Sequence, residues 1–187
     1  SGLIQTDEAT GVGKSVLASL SSGSYNVAVG YSALNAVSSG NSNTAVGSNA
    51  LKVNTGNDNT SVGMDSMKAT TSGGTNVAVG SEALSTNITG SGNVAVGNAS
   101  LKNNTAGYNT ALGFTALYTN SSGTENTAIG AEALKENSTG TQNTAVGSDA
   151  LKVNTGSRNV AVGTDAAKSN TTGTYNTAIG TEAFSTN

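Results

Sequence analysis

The chain has 187 residues, 35% apolar, 4% aromatic and 10% charged, with a net charge of -3. The absence of Cys, His, Pro and Trp beside 25 Gly excludes disulfide staples, imidazole or thiol catalysis and thiolate metal sites, and singly scattered Lys and Arg exclude a basic nucleic-acid patch. There is too little large apolar side chain for a conventional core, while sparse charge and missing Pro run against disorder, so regular repetition is what remains.

In chain order, residues 1–13 contain a degenerate first coil, Ala9 to Gly13, and residues 14–187 form a continuous repeat domain of ten coils, the last incomplete. The segment Asn-(Thr/Val)-Ala-Val-Gly closes at Gly30, Gly47, Gly63, Gly80, Gly97, Gly113, Gly130, Gly147, Gly163 and Gly180, at intervals of 16 or 17 residues. Asn stands four residues before each glycine, as in Asn26, Asn43 and Asn143, and an aliphatic residue immediately before it, as in Val29, Val46 and Val146. Beta-branched residues at alternating positions predict an extended strand, with the Val column expected to face the interior. Ala28, Ala45, Ala78, Ala95 and Ala128 would then line a flank open to close approach by neighbouring chains. The Asn column is expected either to form an inward amide ladder or to bond the turn backbone, with a plain surface turn-former as the bland reading.

After each glycine the pattern is polar, polar, Ala, then a large apolar residue: Leu34, Leu51 and Leu151 follow Gly30, Gly47 and Gly147. Adjacent Ala-Leu breaks strand alternation, which favours a single helical turn or bend over a second strand. Acid and lysine fall three apart in Asp65/Lys68, Glu132/Lys135, Asp149/Lys152 and Asp165/Lys168, a spacing that suits one helical turn or a tight bend. Each unit ends in Asn, Thr, Ser and Gly, the chemistry of a return turn, and the 16-residue intervals come from shorter turns such as Asn54-Thr55-Gly56.

One unit alone cannot offset the entropy of ordering 16 residues, so coils must stack, about 4.8 Å apart if their strands pair. The expected fold is therefore all-β: a parallel β-solenoid or β-roll of 16–17-residue coils. Its thin core and second weak face favour several chains packed around one axis, with a monomeric solenoid as the alternative.

The unit Gly-x-x-Asn-Thr-Ala-Val-Gly-x-x-Ala-Leu-x-x-Asn-Thr-Thr-Gly resembles repeats of phage and large-virus tail fibres, and is more distantly similar to the head repeats of trimeric autotransporter adhesins. The resemblance covers Ala9 to Asn187 and implies a trimeric, elongated virion or surface module, built as an intertwined or side-by-side homotrimer. The self-cleaving chaperone domain, membrane anchor and coiled-coil stalk found in such proteins have no counterpart here, as expected of a shaft fragment or of a chain whose downstream domain is removed during maturation.

No catalytic, metal or cofactor site is expected. The acids two residues after glycine, Asp65, Glu82, Glu132, Asp149, Asp165 and Glu182, read as a solvated stripe. A Thr column at Thr44, Thr60, Thr110, Thr127, Thr144 and Thr177 invites an ice-binding reading that Val27, Val77, Val94 and Val160 interrupt. Candidate surface contacts are Tyr25, Tyr108, Arg158 and Tyr175, at the variable position before Asn. The expected function is a structural spacer in a viral tail fibre that positions a receptor-binding tip, with identical chains, other fibre proteins or domains, and a host-cell surface glycan or protein as partners, and no membrane insertion. The alternative is an extracellular or cell-surface adhesin that binds glycan or protein through its turns.

Overall fold

The computed structural model describes residues 3–5 and 9–185, so parts of the expected first and last coils lie outside the described residues. The chain is an all-β parallel solenoid with coils of 16–17 residues. Its main sheet begins with Leu3–Gln5, antiparallel to Ala9–Val12. From there every strand runs parallel to the one before it: Asn26–Val29, Thr44–Val46, Thr60–Val62, Val77–Val79, Val94–Val96, Thr110–Leu112, Thr127–Ile129, Thr144–Val146, Val160–Val162 and Thr177–Ile179. Equivalent positions pair throughout, for example Ala28 with Ala45 and Val46 with Val62. A one-residue change in coil length therefore disappears into the turn and never shifts the strands. Asn103–Asn104 and Thr119–Asn120 form a second, two-stranded parallel sheet.

Strand alternation sends Asn and Ala to one side and Thr or Val and the final aliphatic to the other. The inward side is the Asn/Ala side: Ala28, Ala45, Ala78, Ala95 and Ala128 are all 0% exposed. This overturns the expectation of an interior Val column. Val29, Val79 and Val162 are each 37% exposed, and Val46 and Val146 are half-buried on the same outer face. The reason is space and polarity. The inside of each coil is already filled by the post-glycine residue pair, as with Leu151 and Ala150, so only a small residue, Ala or in one coil Ser61, fits opposite it, and the repeated spacing commits the amide of Asn to the same inward side. The same fact removes Ala28 and its equivalents from any contact with a neighbouring chain.

Of the expected helical turn or bend, the post-glycine segment takes the second form, and in two coils it leads into the short strands Asn103–Asn104 and Thr119–Asn120. In the coil after Gly147 it is a string of turns, with Ala150 N–H donating to Gly147 C=O, Lys152 to Asp149 and Asn154 to Leu151. Asp149 (φ 56°) and Leu151 (φ 51°) are left-handed, the backbone that places φ above zero at the third residue of a turn. Coil after coil repeats this pattern, so buried Leu sits at a conformation it seldom adopts. The corner glycines mark where coils approach most closely. A Cβ on Gly80, whose φ is 137°, would lie 2.5 Å from the carbonyl oxygen of Gly97 in the next coil, a distance no side chain tolerates.

Candidate interaction surface

Inside the coil, Asn four residues before glycine forms a continuous ladder. Asn26 Oδ1 accepts from the backbone N–H (3.0 Å) and Nδ2 (3.1 Å) of Asn43, Asn43 Oδ1 accepts both from Asn59, and backbone N–H to Oδ1 bonds carry the series on to Asn176. From Asn26 to Asn159 each Nδ2 also donates to a turn carbonyl of the following coil, as Asn76 does to Gly90 at 2.9 Å. Buried amides with this many partners satisfy the demand that polar groups leaving water be hydrogen-bonded.

A second column of buried asparagines runs through the return turns. Asn54, Asn87, Asn104, Asn120, Asn137, Asn154 and Asn170, seven residues after their glycines, are buried as well. Asn87 Nδ2 donates to Gly90 C=O at 2.8 Å while Asn87 Oδ1 accepts from the Gly90 N–H at 3.0 Å, closing the return turn on itself. The recurrence at that fixed offset was visible, but Asn beside Thr and Gly reads as an exposed turn. Thr70 takes this position in its coil, fully buried, with its hydroxyl unpartnered.

The outer surfaces differ sharply in chemistry. Beyond the left-handed corner the acids and lysines interlock. All four three-apart pairs form, from Lys168–Asp165 at 2.7 Å to Lys68–Asp65 at 3.4 Å, and bridges between coils join Lys152 to Glu132 (2.5 Å), Lys168 to Asp149 (3.2 Å) and Lys102 to Glu82 (2.7 Å). The Lys152 and Lys135 ammonium groups hold the Glu132 carboxyl below its usual range. Burial pushes Asp149 up, but hydrogen bonds from Lys168 and Lys152 outweigh it and leave that carboxyl lowered too. A shallow groove of about 460 Å³ runs along this side between Lys52, Asp65, Lys68 and Glu82.

On the sheet side, Tyr25, Tyr108, Arg158 and Tyr175 all fall in one column, the exposed left-handed residue before the ladder Asn, with φ between 58° and 61°. Tyr25, Tyr108 and Tyr175 are 73%, 71% and 69% exposed. Arg158 lies over the Tyr175 ring, 5.2 Å from its centroid, hydrogen-bonds the Tyr175 hydroxyl, and reaches Gln142 Oε1 at 2.9 Å. Gln142 in turn bonds Glu125 at 3.1 Å. A Cβ on Gly92 would sit 3.0 Å from the Tyr108 ring, so that ring rests against the glycine of the coil before it. The structure thus aligns the candidate contacts along the rod and brings only Arg158 and Tyr175 together, leaving Tyr25 and Tyr108 apart from them.

Among the described residues no group of His, Cys, Asp and Glu could hold a metal ion, and no helix is long and apolar enough to cross a membrane. Comparison of the chain with protein-family models, curated proteins and solved structures finds no match. The described residues form one elongated stack of repeated parallel β-coils.

Proposed function

We propose that the chain is a rigid, non-enzymatic spacer of an elongated viral tail fibre, assembled as a homotrimer, that holds a receptor-binding tip at a fixed distance. The observation that carries this reading is the unbroken strand register: equivalent residues pair in every coil whether the interval is 17, as from Val27 to Thr44, or 16, as from Thr44 to Thr60. A spacer needs length set by coil number and stiffness set by repeated geometry, and ten coil-to-coil steps of about 4.8 Å give a rod core of roughly 50 Å. Deleting residues 97–146, three coils, is expected to shorten the rod by about 15 Å in electron micrographs or by small-angle scattering with assembly intact. Unfolding, or an unchanged length, contradicts the spacer.

A second reading has its own observation, the alignment of Tyr25, Tyr108, Arg158 and Tyr175 in one exposed column. Aromatic faces with a polar rim suit a glycan or protein on a cell surface, and an oligomer would present the column several times, so weak contacts gain avidity. Binding of the isolated module to host cells, saturable and lost in a folded Tyr25→Ala/Tyr175→Ala or Arg158→Ala variant, would make the module itself an extracellular adhesin. No binding at high module concentration sinks that reading.

A further inference from the structure

The outward residues of the sheet form a face unlike the rest of the surface. The residues three before and one before each glycine from Gly30 onward are Thr, Val, Ile or Leu in every coil, with no charge among them. Lysine and most of the acids gather instead on the bridged side described above, while Asp58, Glu125 and Arg158 stand in the column before the ladder Asn, at one margin of this face. Most of the large apolar residues that the chain leaves exposed lie on this face or its two margins, including Val29, Val79, Leu112 and Ile129, with Tyr108 and Phe114 at the edges of one coil. With strands about 4.8 Å apart and outward neighbours about 7 Å apart, the face and its margins measure roughly 50 by 15–20 Å, or about 800–1,000 Å². The two uncharged columns alone cover roughly 50 by 10 Å, about 500 Å², and with the polar margins as a rim the face reaches the area of about 800 Å² that a stable interface takes from each partner.

We infer that this face is the seam along which copies of the chain associate, side by side, pointing the same way and level with one another. The inference rests on the homo-oligomeric part of the proposed function. Three physical requirements select a second copy over another occupant. The partner must be straight over the whole length and present side chains at the same 4.8 Å pitch, and the same face of another copy does so by construction. It must be neutral where this face is neutral, and in a rotational assembly each level meets its own counterpart, so a charge in either column would oppose itself; neither column carries one. The match must also survive 16- and 17-residue coils, and it does because the strands stay in register while only the turns change.

The test uses the whole chain, of 18.2 kDa. Light scattering of the wild type at micromolar concentration is expected to give about three chain masses. Val62→Glu/Val79→Glu/Val96→Glu should give one chain mass with an unchanged β-sheet circular dichroism spectrum, while Ile88→Glu, on an exposed turn, keeps the assembly. Should the triple variant not fold, single cysteines decide, since the chain has none of its own. Val46→Cys, away from the middle of the stack, should cross-link to a two-chain species on oxidation, and Ile88→Cys should not. A wild type of one chain mass, a folded triple variant that stays assembled, or failure of Val46→Cys to cross-link overturns the seam, and a monomer that shapes growing ice crystals would give the face to ice instead. Small-angle scattering separates the two readings: an elongated monomer removes the seam and leaves the spacer, whereas a compact particle removes the spacer.

Discussion

At the scale of single residues the interior is governed by asparagine as much as by leucine. Asn87 meets both the donor and the acceptor of Gly90 in its own turn, which no aliphatic residue can do. Thr70 occupies the same position with a hydroxyl that finds no partner at zero exposure, the kind of buried polar atom that costs about 1–3 kcal/mol. Thr70→Asn, placed to bond Gly73 as Asn87 bonds Gly90, should therefore stabilise the chain by about 1–2 kcal/mol, read as a higher midpoint in thermal unfolding followed by circular dichroism. Thr70→Val should be neutral or mildly stabilising, since it removes the orphan hydroxyl without supplying the turn bonds. A fall in midpoint for the Asn variant would show that the turn of this coil differs from its neighbours.

At the scale of the coil, the bridged side behaves as a network. Glu132 is shared by Lys135 and Lys152, and Asp149 by Lys152 and Lys168, so holding one lysine in place serves two carboxylates. Both carboxyls have folded pKa values below their ordinary 4.5 and 3.8. Their stabilisation is complete above those ordinary values and is lost as pH falls through the lower folded ones. Lys152, raised above 10.5 mainly by its bond to Glu132, contributes fully below 10.5 and loses its contribution as pH rises through the higher folded value. Thermal midpoints should be flat between about pH 5 and 10, fall below pH 4, and fall less in Glu132→Gln/Asp149→Asn, with salt narrowing the difference because the groups are partly exposed. An acid fall as steep in the double variant as in the wild type would remove these carboxylates from the explanation. The coil also shows where reading a sequence stops. Period, strands, turns and the three-apart ion pairs were legible because each follows from local spacing. Which side of the strand faces inward was not, because Val is the larger hydrophobe and its burial was the natural expectation. That choice was made by residues on the far side of the coil: Leu151 and Ala150 fill the space, so Ala145 fits and Val146 does not. The string of left-handed turns was hidden for a related reason, since Leu gives no local signal for positive φ and is held there by stacking.

At the scale of the whole molecule, adding or removing coils changes length and little else, because among the described residues each strand of the main sheet packs against its immediate neighbours in the stack. The corner glycines enforce this uniformity: with a Cβ on Gly80 only 2.5 Å from the next coil's carbonyl, no coil can widen its spacing for a bulkier residue without displacing the one above. The candidate contacts, one column repeated along the rod, are likewise a property of the stack and exist in no single unit. The first asparagine ladder has a direction as well as a length. At every step the side-chain carbonyl belongs to the earlier coil and the backbone N–H that satisfies it to the later one, from Asn26 and Asn43 through to Asn159 and Asn176. A coil that has just folded therefore holds an open acceptor facing the residues that the ribosome makes next. Each newly emerged segment arrives with the matching donor, so the rod can close like a zipper in the order of its own synthesis, N-terminal coil first.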